Sequence, residues 1–261
     1  MKLRLGVVPY LNVEPIIRGL ASDARFEIRR EVPSRVAELL HAGEIDLGMI
    51  PSIEYAAGAY AIVPGIAIGS RGAVRSVVLF HRGPFEAVRR VALDTSSRTS
   101  IALLRIVLRE RLGRDPEYLP MAPRIPEMLE AADAALVIGD PALYFEADGI
   151  ARLDLGEAWL ALTGRPFVFA FWAGRAGVLT PADVARLQAA LAAGRAELPS
   201  IASSYNGLGA GHAQDNEAYL RANIAFELGE AEREGLSEFY RRAHAQGLIG
   251  RVPELRFYGH R

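Results

Sequence analysis

The chain lacks several features that mark well-known classes of protein. Its 261 residues include no cysteine, which excludes disulfide bonds, thiolate chemistry and the zinc motifs built on cysteine. The charges nearly balance, at a formal net charge of -1, and no basic stripe is present, so nucleic acid is not an expected partner. No uncharged apolar run is long enough to cross a bilayer. The N-terminus shows no signal-peptide pattern, so we expect a soluble cytoplasmic protein without a membrane partner.

The common catalytic and cofactor motifs are also missing. The five histidines show neither HExxH nor another paired ligand spacing, so the sequence predicts no metal site. There is no GxSxG nucleophile elbow and no phosphate-loop lysine. The glycine-rich stretch 207–211 follows no clear strand and lacks the GxGxxG spacing, which favours a plain loop. We therefore expect no metal and no cofactor.

What is present favours an α/β protein with a sizeable core. Half of the residues are apolar (51%) and 23% are charged. Strand-like and helix-like stretches alternate from the N-terminus, which is typical of a parallel α/β sheet. A second set of the same kind begins at Arg90, and FVFAFW (167–172) is predicted to be a buried strand or a return crossing. In the first set, strands are predicted over 3–8, 26–32 and 45–50, and helices over 13–20, from Pro33 and from Pro51.

Two similar α/β sets followed by a helical tail predict a two-lobed clamp around a small ligand, each lobe a sheet flanked by helices. Gly83-Pro84 interrupts the pattern and is the candidate hinge. The first lobe is predicted to comprise residues 1–83 and 175–261, and the second residues 84–174. In open α/β sheets ligands bind beyond the carboxyl ends of the strands. Side chains at those strand ends are therefore the candidates for a site.

The stretch DTSSRTSIALL (94–104) gives the strongest indication of a site. It is predicted to be a strand end, a hydroxyl-rich turn and the first turn of a helix, whose unpaired N–H groups can hold an anion. Helices often carry Asp or Glu in this turn, but here the turn offers hydroxyls and one cation, so a ligand is expected to supply the negative charge. The alternative is that Ser96 or Ser97 is simply an N-cap. The candidate substrate-binding residues are Ser96, Ser97, Arg98, Thr99 and Ser100.

Other polar residues also stand at predicted strand ends. Uncharged groups of this kind orient a carboxylate-bearing substrate without a titrating side chain. Asn12 has an alternative role as a cap or turn residue, and Ser76 as a strand residue that bonds locally. Asp140 has three possible roles: to cap its helix, to bind a ligand hydroxyl or to donate a proton. His81 either reaches the cleft or packs near the surface. The further candidates for substrate binding are Tyr10, Asn12, Ser52, Ser76 and Asp140.

Several stretches together resemble one enzyme family. The stretches are VPYLNVEP (8–15), GEIDLGMIPSIEYA (43–56), SVVLF (76–80), LDTSSRTSIALL (93–104) and IGDPAL (138–143). They are similar to the chorismate dehydratases of the futalosine route to menaquinone. The resemblance implies the type II periplasmic-binding-protein fold, which agrees with the predicted clamp. The related dihydroxynaphthoate synthase, an enzyme of the same fold, resembles this N-terminal pattern less closely.

The resemblance implies that a small dicarboxylate, chorismate, loses its 4-hydroxyl and the ring hydrogen at C3 to give 3-[(1-carboxyvinyl)oxy]benzoate. No base of tuned pKa stands in the motifs. We therefore hypothesise that the substrate's own enolpyruvyl carboxylate takes the proton, and that Asn12 is the catalytic residue that orients it and the departing hydroxyl. Whether Asp140 or His81 assists that departure stays open. The rival interpretations are a non-catalytic binding protein for a small carboxylate and the sensing part of a regulator.

Overall fold

The computed structural model describes residues 2–259, and within that range ten strands form two five-stranded sheets. Each sheet is mixed, with parallel and antiparallel neighbours. The strands of the first sheet are β1 (Leu3–Val7), β2 (Phe26–Arg30), β3 (Leu47–Pro51), β4 (Tyr60–Ser70) and β10 (Phe167–Arg175). The strands of the second sheet are β5 (Val77–His81), β6 (Arg90–Asp94), β7 (Glu117–Met121), β8 (Ala134–Ile138) and β9 (Ala151–Asp154).

Helices flank both sheets, and their ends follow local sequence signals. α1 starts with a proline and is closed by Gly43, whose φ of 76° is favourable only for glycine. Thr180 and Asp183 form a capping box at the start of α6. The helices are α1 (Pro33–Ala42), α2 (Arg98–Leu112), α3 (Ile125–Ala131), α4 (Asp140–Leu143), α5 (Leu155–Thr163), α6 (Pro181–Ala196), α7 (Leu198–Ser204), α8 (Ala213–Ala222) and α9 (Glu230–Ala245).

The strand order confirms the two-lobed α/β class. The first sheet has the order β2-β1-β3-β10-β4 and the second the order β7-β6-β8-β5-β9. The strands that open each set pair in parallel, as predicted, whereas β10 runs antiparallel to β3 and β4. The aromatic run at 167–172 is therefore the return strand of the first lobe, and α9 packs against it.

The chain crosses between the sheets at places other than those predicted. β5 lies in the second sheet, although the predicted boundary at 83 assigned it to the first lobe. β10 lies in the first sheet, although the boundary at 174 assigned almost all of it to the second lobe. The crossings fall within 71–76 and 155–166, and Gly83-Pro84 lies beyond the first of them. Pairing between strands decides sheet membership, and a glycine-proline pair does not report that pairing.

Two predicted helices of the first lobe are instead short 3₁₀ helices. The stretch 13–20 holds the end of one, Leu11–Val13, then turns and the start of another, Leu20–Ser22. Gly19 between them has a φ of 77°, a left-handed conformation that interrupts a helix. The segment after β3 is a third, Ser52–Ala57. These compact turns place Asn12 and Ser52 close to the carboxyl ends of the strands.

Candidate active site

A cavity lies between the two lobes. Residues from both sheets line it, and its walls are largely apolar, with Met49, Ile68 and Phe169 among them. Within residues 2–259, none of the side chains that line it carries a charge. The polar side chains that line it are Tyr10, Asn12, Ser76, Ser97, Thr99 and Ser100.

The start of α2 faces this cavity. Ser97 is the N-cap, and its hydroxyl accepts a hydrogen bond from the backbone N–H of Ser100 at 3.4 Å. The N–H groups of Arg98 and Thr99 have no partner within the helix, and the helix dipole adds partial positive charge at this end. The first turn of α2 contains no acidic residue. This geometry can hold an anionic group at the cavity wall.

Ser52 supports the cavity wall but does not line it, so its placement does not favour the predicted contact with the substrate. Its hydroxyl is fully buried and donates to the carbonyl of Val168 at 2.8 Å. Thr99 lies next to it and accepts a hydrogen bond from the N–H of Ile53 at 3.1 Å. The Ser52 hydroxyl already donates to a backbone carbonyl. Its contribution is therefore to hold Thr99 in place between the two lobes.

Arg98 points away from the cavity, a placement that does not favour the predicted contact with the substrate. Its guanidinium pairs with Glu54 at 3.1 Å and with Glu38 at 2.9 Å. The side chain is 39% exposed and sits on the outer side of the first turn of α2. A helix turn directs successive side chains about 100° apart, so Arg98 cannot share the cavity face with both Thr99 and Ser97.

Ser96 donates to a buried carboxylate and does not line the cavity, a placement that does not favour its predicted role in substrate binding. Its N–H and hydroxyl donate to Asp94 Oδ1 at 2.9 and 2.6 Å. Burial raises the pKa of Asp94, which is 1% exposed. Burial and the nearby Asp94 charge raise the pKa of Tyr10 to about 12. Tyr10 is therefore a neutral hydroxyl at the cavity at physiological pH.

Asn12 and Ser76 share one partner, Tyr219, which the sequence analysis did not identify. Asn12 Nδ2 donates to the Tyr219 hydroxyl at 3.1 Å, and that hydroxyl donates to Ser76 Oγ at 2.8 Å. Asn12 is 7% exposed and its Oδ1 has no hydrogen-bond partner among the described residues. Tyr219 occupies an ordinary apolar position of α8, so no local signal in the sequence connects it to the N-terminal motif.

Asp140 joins the lobes and does not line the cavity, so its placement does not favour the predicted contact with the substrate. Its carboxylate accepts the N–H of Leu11 at 3.2 Å and the hydroxyl of Tyr205. Burial raises its pKa. The preceding residue, Gly139, does line the cavity, with a φ of 68° and the ring of Tyr10 directly over it. The carboxylate is occupied by structural donors, so we assign it no role as a proton donor.

His81 lies at the other end of β5 from the cavity. Its Nδ1 is 3.0 Å from the carbonyl of Gly83, and its ring packs against Phe85. Of its two proposed placements, the structure therefore shows packing rather than access to the cleft. Over residues 2–259 no group of three or more His, Asp or Glu side chains could hold a metal ion.

In the same described range, no helix is sufficiently long and apolar to cross a membrane. The cytoplasmic location stays a prediction.

The fold and the interlobe cavity define a protein of the periplasmic-binding-protein fold. Protein AF1704 from Archaeoglobus fulgidus is similar in structure, with a TM-score of 0.73 and 18% identity, covering 95% of this chain and 98% of that one. SsuA from Escherichia coli, a periplasmic aliphatic sulphonate binding protein, has a TM-score of 0.65 and 18% identity, covering 100% and 94%. At these identities the likeness establishes the fold alone.

Sequence similarity goes further than the fold. The family model described as menaquinone biosynthesis matches residues 3–245, and the chain belongs to this family. A relative from Thermus thermophilus, a chorismate dehydratase, is 33% identical over 94% of this chain and 95% of its own length. The family predicted from the sequence motifs is thereby confirmed.

Proposed function

We propose that this protein is a hydro-lyase that dehydrates chorismate to 3-[(1-carboxyvinyl)oxy]benzoate in menaquinone biosynthesis. The observation that carries the proposal is the interlobe cavity, where the start of α2 and the Asn12–Ser76 pair face the same space. Membership of the family and the name of the Thermus thermophilus relative support it. The reaction needs no redox step or electron carrier, since it only removes water and aromatises the ring.

The start of α2 suits one carboxylate of this dianionic substrate. The backbone N–H groups of Arg98 and Thr99 and the hydroxyls of Ser97, Thr99 and Ser100 are donors without a competing carboxylate. Removal of the C3 hydrogen sends negative charge through the ring diene to the ring carboxylate. Donors fixed around that carboxylate stabilise the charge as it develops. The apolar walls exclude water, which strengthens these interactions.

The proton acceptor is the substrate itself in this proposal. Along the cavity wall, within residues 2–259, there is no carboxylate, imidazole or amine side chain that could act as base. The enolpyruvyl carboxylate takes the C3 proton, and the 4-hydroxyl leaves with its bonding electrons. Proton and hydroxide together account for the water released. Asn12 is the catalytic residue, with Ser76 beside it, because both present polar groups to the departing hydroxyl.

Incubation of the pure protein with chorismate tests the proposal directly. We expect a new aromatic absorbance and a product whose mass is that of chorismate less one water. The matched control is the Asn12→Ala variant at the same concentration, which is expected to form product much more slowly. A binding protein for a small carboxylate would instead bind chorismate and leave the spectrum unchanged. That result would contradict the proposed activity and favour the non-catalytic alternative.

A further inference from the structure

Tyr219 is a buried tyrosine that connects three distant parts of the chain. It lies on α8 near the C-terminus and is 1% exposed. Its hydroxyl is hydrogen-bonded to Asn12 in the first lobe and to Ser76 in the segment that crosses to the second lobe. Tyr219 itself does not line the cavity. It therefore contacts the two polar cavity side chains from behind.

The chemistry of the three groups fixes the direction of these hydrogen bonds. The amide nitrogen of Asn12 can only donate, so the Tyr219 oxygen must accept from it. Tyr219 has a single hydroxyl proton, which is then directed to Ser76 Oγ. Ser76 Oγ accepts that proton, so its own proton must point elsewhere. Throughout residues 2–259 that proton meets no acceptor, and Ser76 lines the cavity.

The result is one free acceptor and one free donor on two side chains that line the cavity. The acceptor is Asn12 Oδ1, which is buried and has no partner in the described part of the chain. The donor is the hydroxyl of Ser76. A carboxylate cannot donate to Asn12 Oδ1, whereas an alcohol can donate to it and accept from Ser76 at the same time. This corner of the cavity is therefore complementary to a neutral hydroxyl group.

From this arrangement we infer that Tyr219 is a positioning residue that orients Asn12 and Ser76 so that together they bind the hydroxyl that leaves. This rests on the proposed function, in which the substrate loses a hydroxyl. Asn12 and Ser76 touch the substrate, whereas Tyr219 acts only through them. Rotation of the Asn12 amide by 180° would replace the acceptor with a donor and would no longer match an alcohol.

Burial keeps Tyr219 in this role. Because the ring and hydroxyl are removed from water, the pKa of Tyr219 is raised, so the group keeps its proton at all physiological pH values. Transfer of that proton to the leaving hydroxyl would strand a phenolate in the core. The leaving group instead obtains its proton from the carboxylate that removed it from C3, and Tyr219 holds the geometry.

The first test is the Tyr219→Phe variant, which keeps the ring and removes only the hydroxyl. We expect kcat to fall about 10- to 100-fold, because the loss of orientation is felt in the reaction, with KM changed by less than about threefold. The matched control is Tyr258→Phe. Tyr258 is also buried, and its hydroxyl donates to a backbone carbonyl, that of Arg175, outside the cavity. That variant loses the same atom and is expected to keep its kcat.

A second readout does not depend on activity. The chain has four asparagines, so selective ¹⁵N labelling gives four side-chain amide signals, and the Asn12→Ala variant assigns the relevant one. In the ligand-free protein we expect the Asn12 amide protons to be protected from solvent exchange. That protection should be lost in Tyr219→Phe and kept in both Tyr258→Phe and Ser76→Ala. If Tyr219→Phe does not fold, the Ser76→Ala spectrum decides, since its loss of protection would mean that Ser76 anchors Asn12.

The outcomes separate the inference from the proposed function. An inactive wild-type protein refutes the proposed function and with it the catalytic part of the inference. An active wild type with an unchanged kcat in Tyr219→Phe, or an equal loss in Tyr258→Phe, refutes only the role of Tyr219. Unchanged exchange protection of Asn12 in Tyr219→Phe also refutes that role. A fall in kcat together with loss of Asn12 protection, both specific to Tyr219, supports it.

Discussion

The carboxylate of Asp140, in the second lobe, accepts the backbone N–H of Leu11, in the first lobe, at 3.2 Å. The hydroxyl of Tyr205, from the C-terminal helices, donates to the other oxygen of the same carboxylate. Asp140 is 5% exposed, so these donors replace the water that it would otherwise bind. The contact joins the two lobes beside the cavity. It fixes the backbone at Leu11, the residue that precedes Asn12.

Replacing Asp140 with alanine is expected to destabilise the protein by about 1–3 kcal/mol. The substitution leaves two donors, the Leu11 N–H and the Tyr205 hydroxyl, without their buried acceptor. Urea unfolding followed by circular dichroism measures the change. The control is Asp133→Ala, because Asp133 also accepts two backbone N–H groups but is exposed. Equal losses of stability in the two variants would show that burial of the Asp140 contact adds nothing to the free energy of unfolding.

Replacing Gly139 with alanine is expected to abolish most of the activity. A Cβ at this position would lie 2.7 Å from the ring of Tyr10, so the ring must leave its place at the cavity. Gly113→Ala is the control for a positive φ alone, since Gly113 has a φ of 64° and open space around it. Gly113→Ala bears the left-handed backbone penalty of about 1 kcal/mol. Gly139 has a ψ of -151°, a conformation that essentially only glycine adopts, so Gly139→Ala bears a larger backbone penalty in addition to the clash with Tyr10. Steady-state kinetics and thermal unfolding together separate the steric effect from that penalty, and equal activity in both variants would contradict the prediction.

Replacing Asn12 with alanine is expected to reduce kcat about 100-fold, by analogy with loss of one polar group that acts on the reacting atoms. Binding of chorismate should change much less, because the start of α2 is intact. Calorimetric titration measures binding and product absorbance measures turnover. Asn223→Ala serves as control, since the Asn223 amide bonds to the carbonyl of Ala73 outside the cavity. Near-normal turnover in Asn12→Ala would remove Asn12 from the mechanism.

Replacing Arg98 with methionine is expected to leave the affinity for chorismate within about threefold. Its charge is neutralised by Glu38 and Glu54 and lies on a partly exposed surface, where such pairs contribute little. The contrasting variant is Thr99→Val, which removes a hydroxyl that lines the cavity. We expect Thr99→Val to weaken binding clearly. A large loss of affinity in Arg98→Met would mean that the guanidinium turns inward when the substrate binds.

The ion pair between Asp183 and Arg25 predicts a pH-dependent stability. The Arg25 guanidinium and the hydrogen bonds from Thr180 hold the pKa of Asp183 well below its ordinary value of 3.8. A carboxylate with a lowered folded-state pKa stabilises the fold above its unfolded-state pKa, and that stability is lost as the pH falls through the folded-state pKa.

Asp183→Asn should therefore be less stable than the wild type at pH 7, by about 2 kcal/mol for hydrogen bonds to a charged group. The difference in free energy of unfolding between the two proteins should shrink as the pH falls below 3.8, the ordinary pKa of an aspartate. Urea unfolding at a series of pH values measures it. The control is removal of an exposed ion pair, such as that of Arg256 with Glu254, which should change the free energy of unfolding very little. A difference that is independent of pH would contradict the assignment.

The sequence by itself determined α2, the helix whose start lines the cavity. The hydroxyl-rich turn and the apolar face after it predicted this helix, with Ser96 or Ser97 as the alternative N-cap, because caps and periodicity are local properties; the structure shows that the cap is Ser97. Alternating strands and helices predicted the two-lobed class. The motifs around Asn12 and Ser97 identified the family, which the comparisons confirmed.

Only the tertiary structure decided which of the candidate side chains line the cavity. Ser96 donates to Asp94, Arg98 pairs with two glutamates, and Asp140 accepts the N–H of Leu11. All of these partners except Asp94 are distant in sequence. The role of Tyr219 depends on a contact 207 residues along the chain from Asn12. Local sequence patterns indicate backbone propensity and the spacing of buried residues. Hydrogen bonds across the crevice form only when the lobes and the C-terminal helices pack together.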